Sequence, residues 1–210
     1  MPTLLVPPSP TASLSMKASP TQTARAKPRV VSASCTGEAK NMTLAANGHT
    51  VTKSSSPNPA YLQIKKARLV RDSRGVTVSY TLAGVPPHPA SDISSATYWT
   101  WLGDGYGDVS ELSVSMEWLN SKWRVVANGP VDVVGGTVDA RPVIHGHTVS
   151  VRVPLHVAVS TGWDADLSKF THVGWSTEGE DPLGLGSWAD GCPVSGDEAG
   201  NPGSWEVKLR

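Results

Sequence analysis

The sequence predicts one all-β sandwich domain of about nine strands over residues 58–210, behind a disordered basic arm of residues 1–57. Three observations predict it. Apolar residues recur at every second position in several short runs, the period of a half-buried strand. Glycine (20) and proline (17) separate those runs, as many tight turns require. No segment carries the 3.6-residue apolar period of a helix.

Residues 1–57 are rich in Ser, Thr, Pro and basic side chains and end in Ser54-Ser55-Ser56-Pro57. Such a segment buries too little apolar area to offset the entropy of ordering it. Residues 61–71 read as the first strand, bulged at Lys65-Lys66. Residues 75–83 follow, with Val76, Val78, Tyr80 and Leu82 on one face and Thr77, Ser79 and Thr81 on the other. Asp72-Ser73-Arg74-Gly75 is the turn between them. Residues 95–102 form a third strand. In a fourth, Leu112, Val114, Met116 and Trp118 alternate with Ser113, Ser115 and Glu117. A turn over residues 119–122 leads to Trp123, Val125 and Ala127, which sets Trp118 opposite Trp123. Residues 131–144 give further strand. Val149, Val151, Val153 and Leu155 alternate before a long loop, and residues 170–177 and 205–209 complete the set.

The composition adds constraints. There are 8 Trp and 4 Tyr against 1 Phe, a bias towards rings that are apolar on one side and hydrogen-bonding on another. Net charge is zero, yet residues 1–71 hold ten Lys/Arg and one acid, Glu38, while residues 72–210 hold eight Lys/Arg and seventeen acids. The arm either ignores the mildly acidic domain or meets an anionic surface. Its cations are scattered, which argues against nucleic acid. No run of 18 apolar residues exists, so no transmembrane helix is expected. The first residues make a poor secretory signal, so export implies a start further upstream or another route. Residues 30–35 faintly resemble a lipoprotein cleavage site, and residues 1–37 have the composition of an organelle transit peptide. Cys35 and Cys192 match no zinc spacing. They are either one long-range staple or two unrelated thiols.

Several constellations bear chemistry. Asp104-Gly105-Tyr106-Gly107-Asp108, with Glu111 close by, offers hard oxygens on a flexible loop and is a candidate Ca²⁺ site of structural kind. The competing reading is a polar connection. His145-Gly146-His147 would present two imidazoles to zinc on a strand, with His156 or His172 as a third ligand, but reads better as a hairpin turn. Glu178-Gly179-Glu180-Asp181 clusters carboxylates of the kind that hydrolyse glycosides, yet Gly179 and Pro182 read as a loop. No Gly-x-Ser-x-Gly, His-Glu-x-x-His or phosphate-loop signature occurs. Trp118, Trp123 and Trp205 read as core. Trp99 and Trp101 share one strand face, as core or as a platform for a sugar ring. Trp163 and Trp188 lie in Gly/Asp-rich stretches that read as loops. With Tyr106 they are the candidate exposed contacts.

The phrases Gly75-Val76-Thr77-Val78-Ser79-Tyr80-Thr81-Leu82-Ala83-Gly84, His147-Thr148-Val149-Ser150-Val151-Arg152-Val153-Pro154-Leu155 and Trp188-Ala189-Asp190 resemble β-sandwich modules of secreted, especially actinobacterial, proteins. They are similar to family 9 carbohydrate-binding modules and DOMON domains, over residues 58–192. The resemblance implies a jelly roll that binds sugar or another small ligand, and carries over no functional residue. The expectation is therefore a secreted or cell-surface binding module, not an enzyme, for a polysaccharide or surface glycan. Trp99, Trp101, Tyr106, Trp163 and Trp188 are its candidate contacts. The alternatives are an interaction domain with no small-molecule site, and a glycoside-active or metal-dependent hydrolase.

Overall fold

A computed structural model describes residues 30–37, 42–44, 51–53, 58–103, 112–129, 135–160, 163–180, 187–192 and 207–210. The strands in chain order are β1 (Val31–Thr36), β2 (Met42–Leu44), β3 (Val51–Lys53), β4 (Ile64–Asp72), β5 (Gly75–Leu82), β6 (Ser95–Gly103), β7 (Leu112–Leu119) and β8 (Lys122–Asn128). Then come β9 (Gly136–Thr137), β10 (Val143–His145), β11 (Thr148–Val153), β12 (His156–Ser160), β13 (Trp163–Asp166), β14 (His172–Glu180), β15 (Ser187–Cys192) and β16 (Val207–Lys208). Every described pairing is antiparallel, and no helix occurs among the described residues. The all-β sandwich expected from the sequence is what forms.

One sheet has the order β1-β4-β5-β11-β10. The other runs β3-β2-β15-β14-β6-β7-β8-β9, with β16 beside the first residues of β14. β12 and β13 pair separately as a hairpin, where the sequence suggested a long loop. The folded region also starts earlier than residue 58. β1 pairs along its whole length with β4, and Ala33 and Cys35 are buried. Residues 1–29 lie outside the described residues.

The inner faces follow from alternation. Val76, Val78, Tyr80 and Leu82 of β5 and Val149, Val151 and Val153 of β11 point inward from the first sheet. Ala96, Tyr98, Thr100 and Leu102 of β6, with Val114, Met116 and Trp118 of β7, meet them from the second. A register irregularity between Ile64 and Lys66 lets Ile64, Ala67 and Leu69 all face the core, the role of the expected bulge. Fully burying one such aliphatic side chain stabilises the fold by roughly 1.5–3 kcal/mol.

The aromatic bias has a physical cause. Trp118 Nε1 donates to the Ile93 carbonyl at 2.9 Å and Trp123 Nε1 to the Pro87 carbonyl at 3.2 Å. Tyr98 Oη donates to the Tyr61 carbonyl at 2.8 Å, and Tyr80 Oη donates to the Trp99 carbonyl beneath Thr100. A Phe would fill the core without making these hydrogen bonds. Burial pushes the Tyr80 and Tyr98 phenols well above their ordinary value. Tyr80, Tyr98, Trp123 and Trp118 form one chain of ring contacts, at 5.6, 5.7 and 5.5 Å between centroids. The β7–β8 turn places Asn120 (φ 51) and Ser121 (φ 59) in the left-handed region, a type I′ geometry that sets Trp118 opposite Trp123 as expected.

One flank of the sandwich is stitched. Cys35 of β1 and Cys192 of β15 form a disulfide between the two sheets, with Cα atoms 5.9 Å apart. Beyond β16, Ser32 and Arg210 exchange backbone hydrogen bonds at 2.8 and 3.0 Å, which carries pairing from β14 round to β1. Asp190 of β15 accepts from the Ile64 backbone N–H at 2.7 Å and from that of Gly191 at 2.9 Å.

Candidate functional site

The two outer faces differ in chemistry. The first sheet turns Thr77, Ser79, Thr81, Ser150 and Arg152 outward, with Arg152 paired to Asp72 at 2.6 Å. That face is mostly polar, with Val70 opposite Thr77 and exposed Val143 opposite Ser150 as its apolar members. The second sheet turns Thr97, Trp99 and Trp101 of β6 outward, because Ala96, Tyr98, Thr100 and Leu102 take the inward positions.

Trp99 and Trp101 are half-buried and stack on each other, with centroids 5.1 Å apart and planes 15° from parallel. Their neighbours are small. Trp99 sits between Ser115 and Ser176, and Trp101 between Ser113 and Gly174. Ser113 and Ser115 are 3% and 0% exposed although they face outward, shielded beside the indoles. Trp101 Nε1 donates to Ser176 Oγ at 2.9 Å, which fixes the orientation of its ring. Large apolar rings on a floor of serines are not core packing. They form an aromatic surface at the sheet's centre.

The next cross-strand row is charged. Thr97 lies between Glu117 of β7 and Glu178 of β14, and Arg124 of β8 lies opposite Glu117. These four side chains, with Ser95, line a pocket of about 230 Å³. Arg124 donates to Glu117 Oε2 from both Nε and Nη2 at 2.6 Å, while Ser115 Oγ donates to Oε1 at 2.9 Å. Glu117 is thereby held in place at 13% side-chain exposure, against 52% for Arg124. Glu117 and Glu178 stand two strands apart, roughly 9.5 Å between backbones at ordinary strand spacing. The row offers carboxylate acceptors, a guanidinium donor and a hydroxyl, beside a ring surface that can stack.

Trp99 and Trp101 thus share one partly accessible face, as the alternation predicts. Trp163 and Trp188 are in β13 and β15, not in loops. The small and acidic residues around them hid two strands, and their side chains lie outside the described set. Tyr106, Asp104, Asp108 and Glu111 lie outside the described residues altogether. Among the described residues no group of three or more His, Cys, Asp or Glu side chains converges as metal ligands would. Gly146 (φ 57) and His147 form the two-residue turn between β10 and β11, as expected.

Glu178 is within a paired strand, not in the loop that the sequence suggests. Gly179, which suggested the loop, faces inward, where a Cβ would lie 2.9 Å from Leu62 Cδ1. Its glycine answers to close packing, not to a turn. Glu117 and Arg124 were not singled out from the sequence, though the predicted Trp118–Trp123 pairing implies that they oppose each other. The approach of Glu178 to the same row depends on the β6–β14 register, which leaves no local signal.

No family model matches the chain, and neither a curated protein nor a solved structure does.

Proposed function

We propose that this protein is a carbohydrate-binding module whose ligand lies on the outer face of the second sheet. The observation that carries the reading is the stacked Trp99–Trp101 pair on its serine floor. An aromatic face packs against the apolar face of a pyranose ring, and the adjoining Glu117, Arg124 and Glu178 supply partners for hydroxyl groups. Polysaccharide or surface glycan is the ligand class, and the Cys35–Cys192 disulfide supports an extracellular site of action. The similarity to secreted β-sandwich modules noted in the sequence points the same way. A structural calcium ion on Asp104, Asp108 and Glu111 belongs to the same proposal, and a fall in melting temperature on adding EDTA is the expected sign of it.

The test is isothermal titration with soluble oligosaccharides, together with sedimentation on insoluble polysaccharide. Trp99→Ala and Trp101→Ala each lower affinity by at least about tenfold, the effect of removing a central aromatic anchor, while the circular dichroism spectrum stays that of the parent. Unchanged affinity in both variants would rule out the platform and leave an interaction domain without a sugar site.

A further inference from the structure

Trp99 and Trp101 touch through their faces. At 5.1 Å between centroids and 15° between planes the indoles overlap in an offset stack. Rings side by side in one plane would stand further apart. Each indole therefore covers one face of the other, and the two faces left over point in opposite directions. The donors differ as well. Trp101 Nε1 is committed to Ser176 Oγ at 2.9 Å. Trp99 Nε1 has no partner among the described residues and is not one of their buried unpaired atoms. Trp101 is thus a braced ring behind Trp99, while Trp99 keeps both a face and an N–H for a ligand.

We infer that the site takes individual glycan chains and refuses the crystalline face of a polysaccharide, with one sugar ring on the free face of Trp99 and one hydroxyl on its Nε1–H. The inference rests on the sugar-platform reading. A crystal face is flat, and gripping it takes several rings in one plane with their faces turned the same way. Stacked rings cannot offer that. A flat surface flush with the free face of one indole leaves the other behind it, out of contact. A separate chain needs only one face, and its next sugar can turn aside. Trp101 acts through Trp99 and is a positioning residue.

The experiment sets the full chain against cellulose, chitin and mannan, each as crystalline and as swollen amorphous polymer, and against their soluble oligosaccharides. For the polymer that binds, capture per unit of accessible surface is at least about tenfold greater on the swollen form, the scale of one well-placed anchor, and the oligosaccharide competes it off. Equal capture on the crystalline form overturns the inference and, if Trp99→Ala abolishes it, leaves the platform standing. Trp99→Phe keeps a ring and loses the N–H, so affinity for the oligosaccharide falls about fivefold, the scale of one hydrogen bond. Trp101→Phe keeps the brace and binds nearly as the parent does, whereas Trp101→Ala does not. An equal or larger loss in Trp101→Phe overturns the assignment to Trp99. In nitrogen-resolved NMR the Trp99 indole N–H resonance shifts on titration more than that of Trp101, and the reverse order overturns it too. Capture of no polymer in either form, or capture indifferent to both alanine variants, removes the platform reading and the inference with it.

Discussion

Asp190 Oδ2 accepts a 2.7 Å hydrogen bond from the backbone N–H of Ile64, so a carboxylate of one sheet caps the start of a strand in the other. The group is 4% exposed, and burial raises its pKa to about 6 against the hydrogen bonds from Ile64 and Gly191, which pull it down.

That elevation fixes the sign of a pH effect. The unfolded chain ionises Asp190 near 3.8 and the folded chain near 6. The folded state therefore holds the proton more tightly. The stability from this group is fully present below the unfolded value and is lost as pH rises through about 6, a swing on the order of 3 kcal/mol at most. Asp72 acts oppositely, held low by the Arg74 backbone N–H and then by Arg152, and so does Asp166, held low by Ser168 and then Lys169. Their contributions fade only as pH falls below the ordinary carboxylate range. Urea unfolding should show stability rising from pH 7 to pH 5 and falling again below pH 4. Asp190→Ala should flatten the upper limb and leave the lower one.

The staple itself is worth more. Closing a loop of 157 residues removes about 5 kcal/mol of unfolded-chain entropy in the loop-closure model. Reduction, or Cys35→Ser with Cys192→Ser, should lower the free energy of unfolding by about 2–5 kcal/mol in urea titrations.

Two buried tryptophans should respond unequally to loss of the indole nitrogen. Trp118 Nε1 has the Ile93 carbonyl as its partner, whereas buried Trp175 Nε1 has none among the described residues. Trp118→Phe strands an acceptor as well as shrinking a side chain, and Trp175→Phe only shrinks one. The first should cost about 1 kcal/mol more than the second, by denaturant titration of both variants.

Ser121 is a non-glycine residue at φ 59 in the second place of a type I′ turn after Asn120. Ser121→Gly gives the Asn-Gly pair that this turn prefers. It should raise stability by roughly 0.5–1 kcal/mol, seen as a higher melting temperature.

The core strands were legible because their side chains state the period openly. Val76 to Leu82 and Leu112 to Trp118 alternate without a break, and the turn at Asn120 follows. β1 was not legible, since its inward residues are only Ala33 and Cys35 in a run of serines that also suits a tail. β13 and β15 were hidden by acidic and small residues, and Gly179 disguised the end of β14. In the candidate site, the shared face of Trp99 and Trp101 is a local property and could be read. The meeting of Glu117 with Glu178 is not, because it depends on which strands flank β6. That is set by packing across the whole sandwich.

The disulfide has a further consequence for maturation. The two cysteines of these 210 residues have one possible pairing with each other, so oxidation within this stretch has no alternative partner to choose. The bond joins partners 157 residues apart, so it forms only once both sheets have assembled or the chain has brought their edges together. The kinetics of thiol disappearance during refolding would therefore report directly on closure of the sandwich.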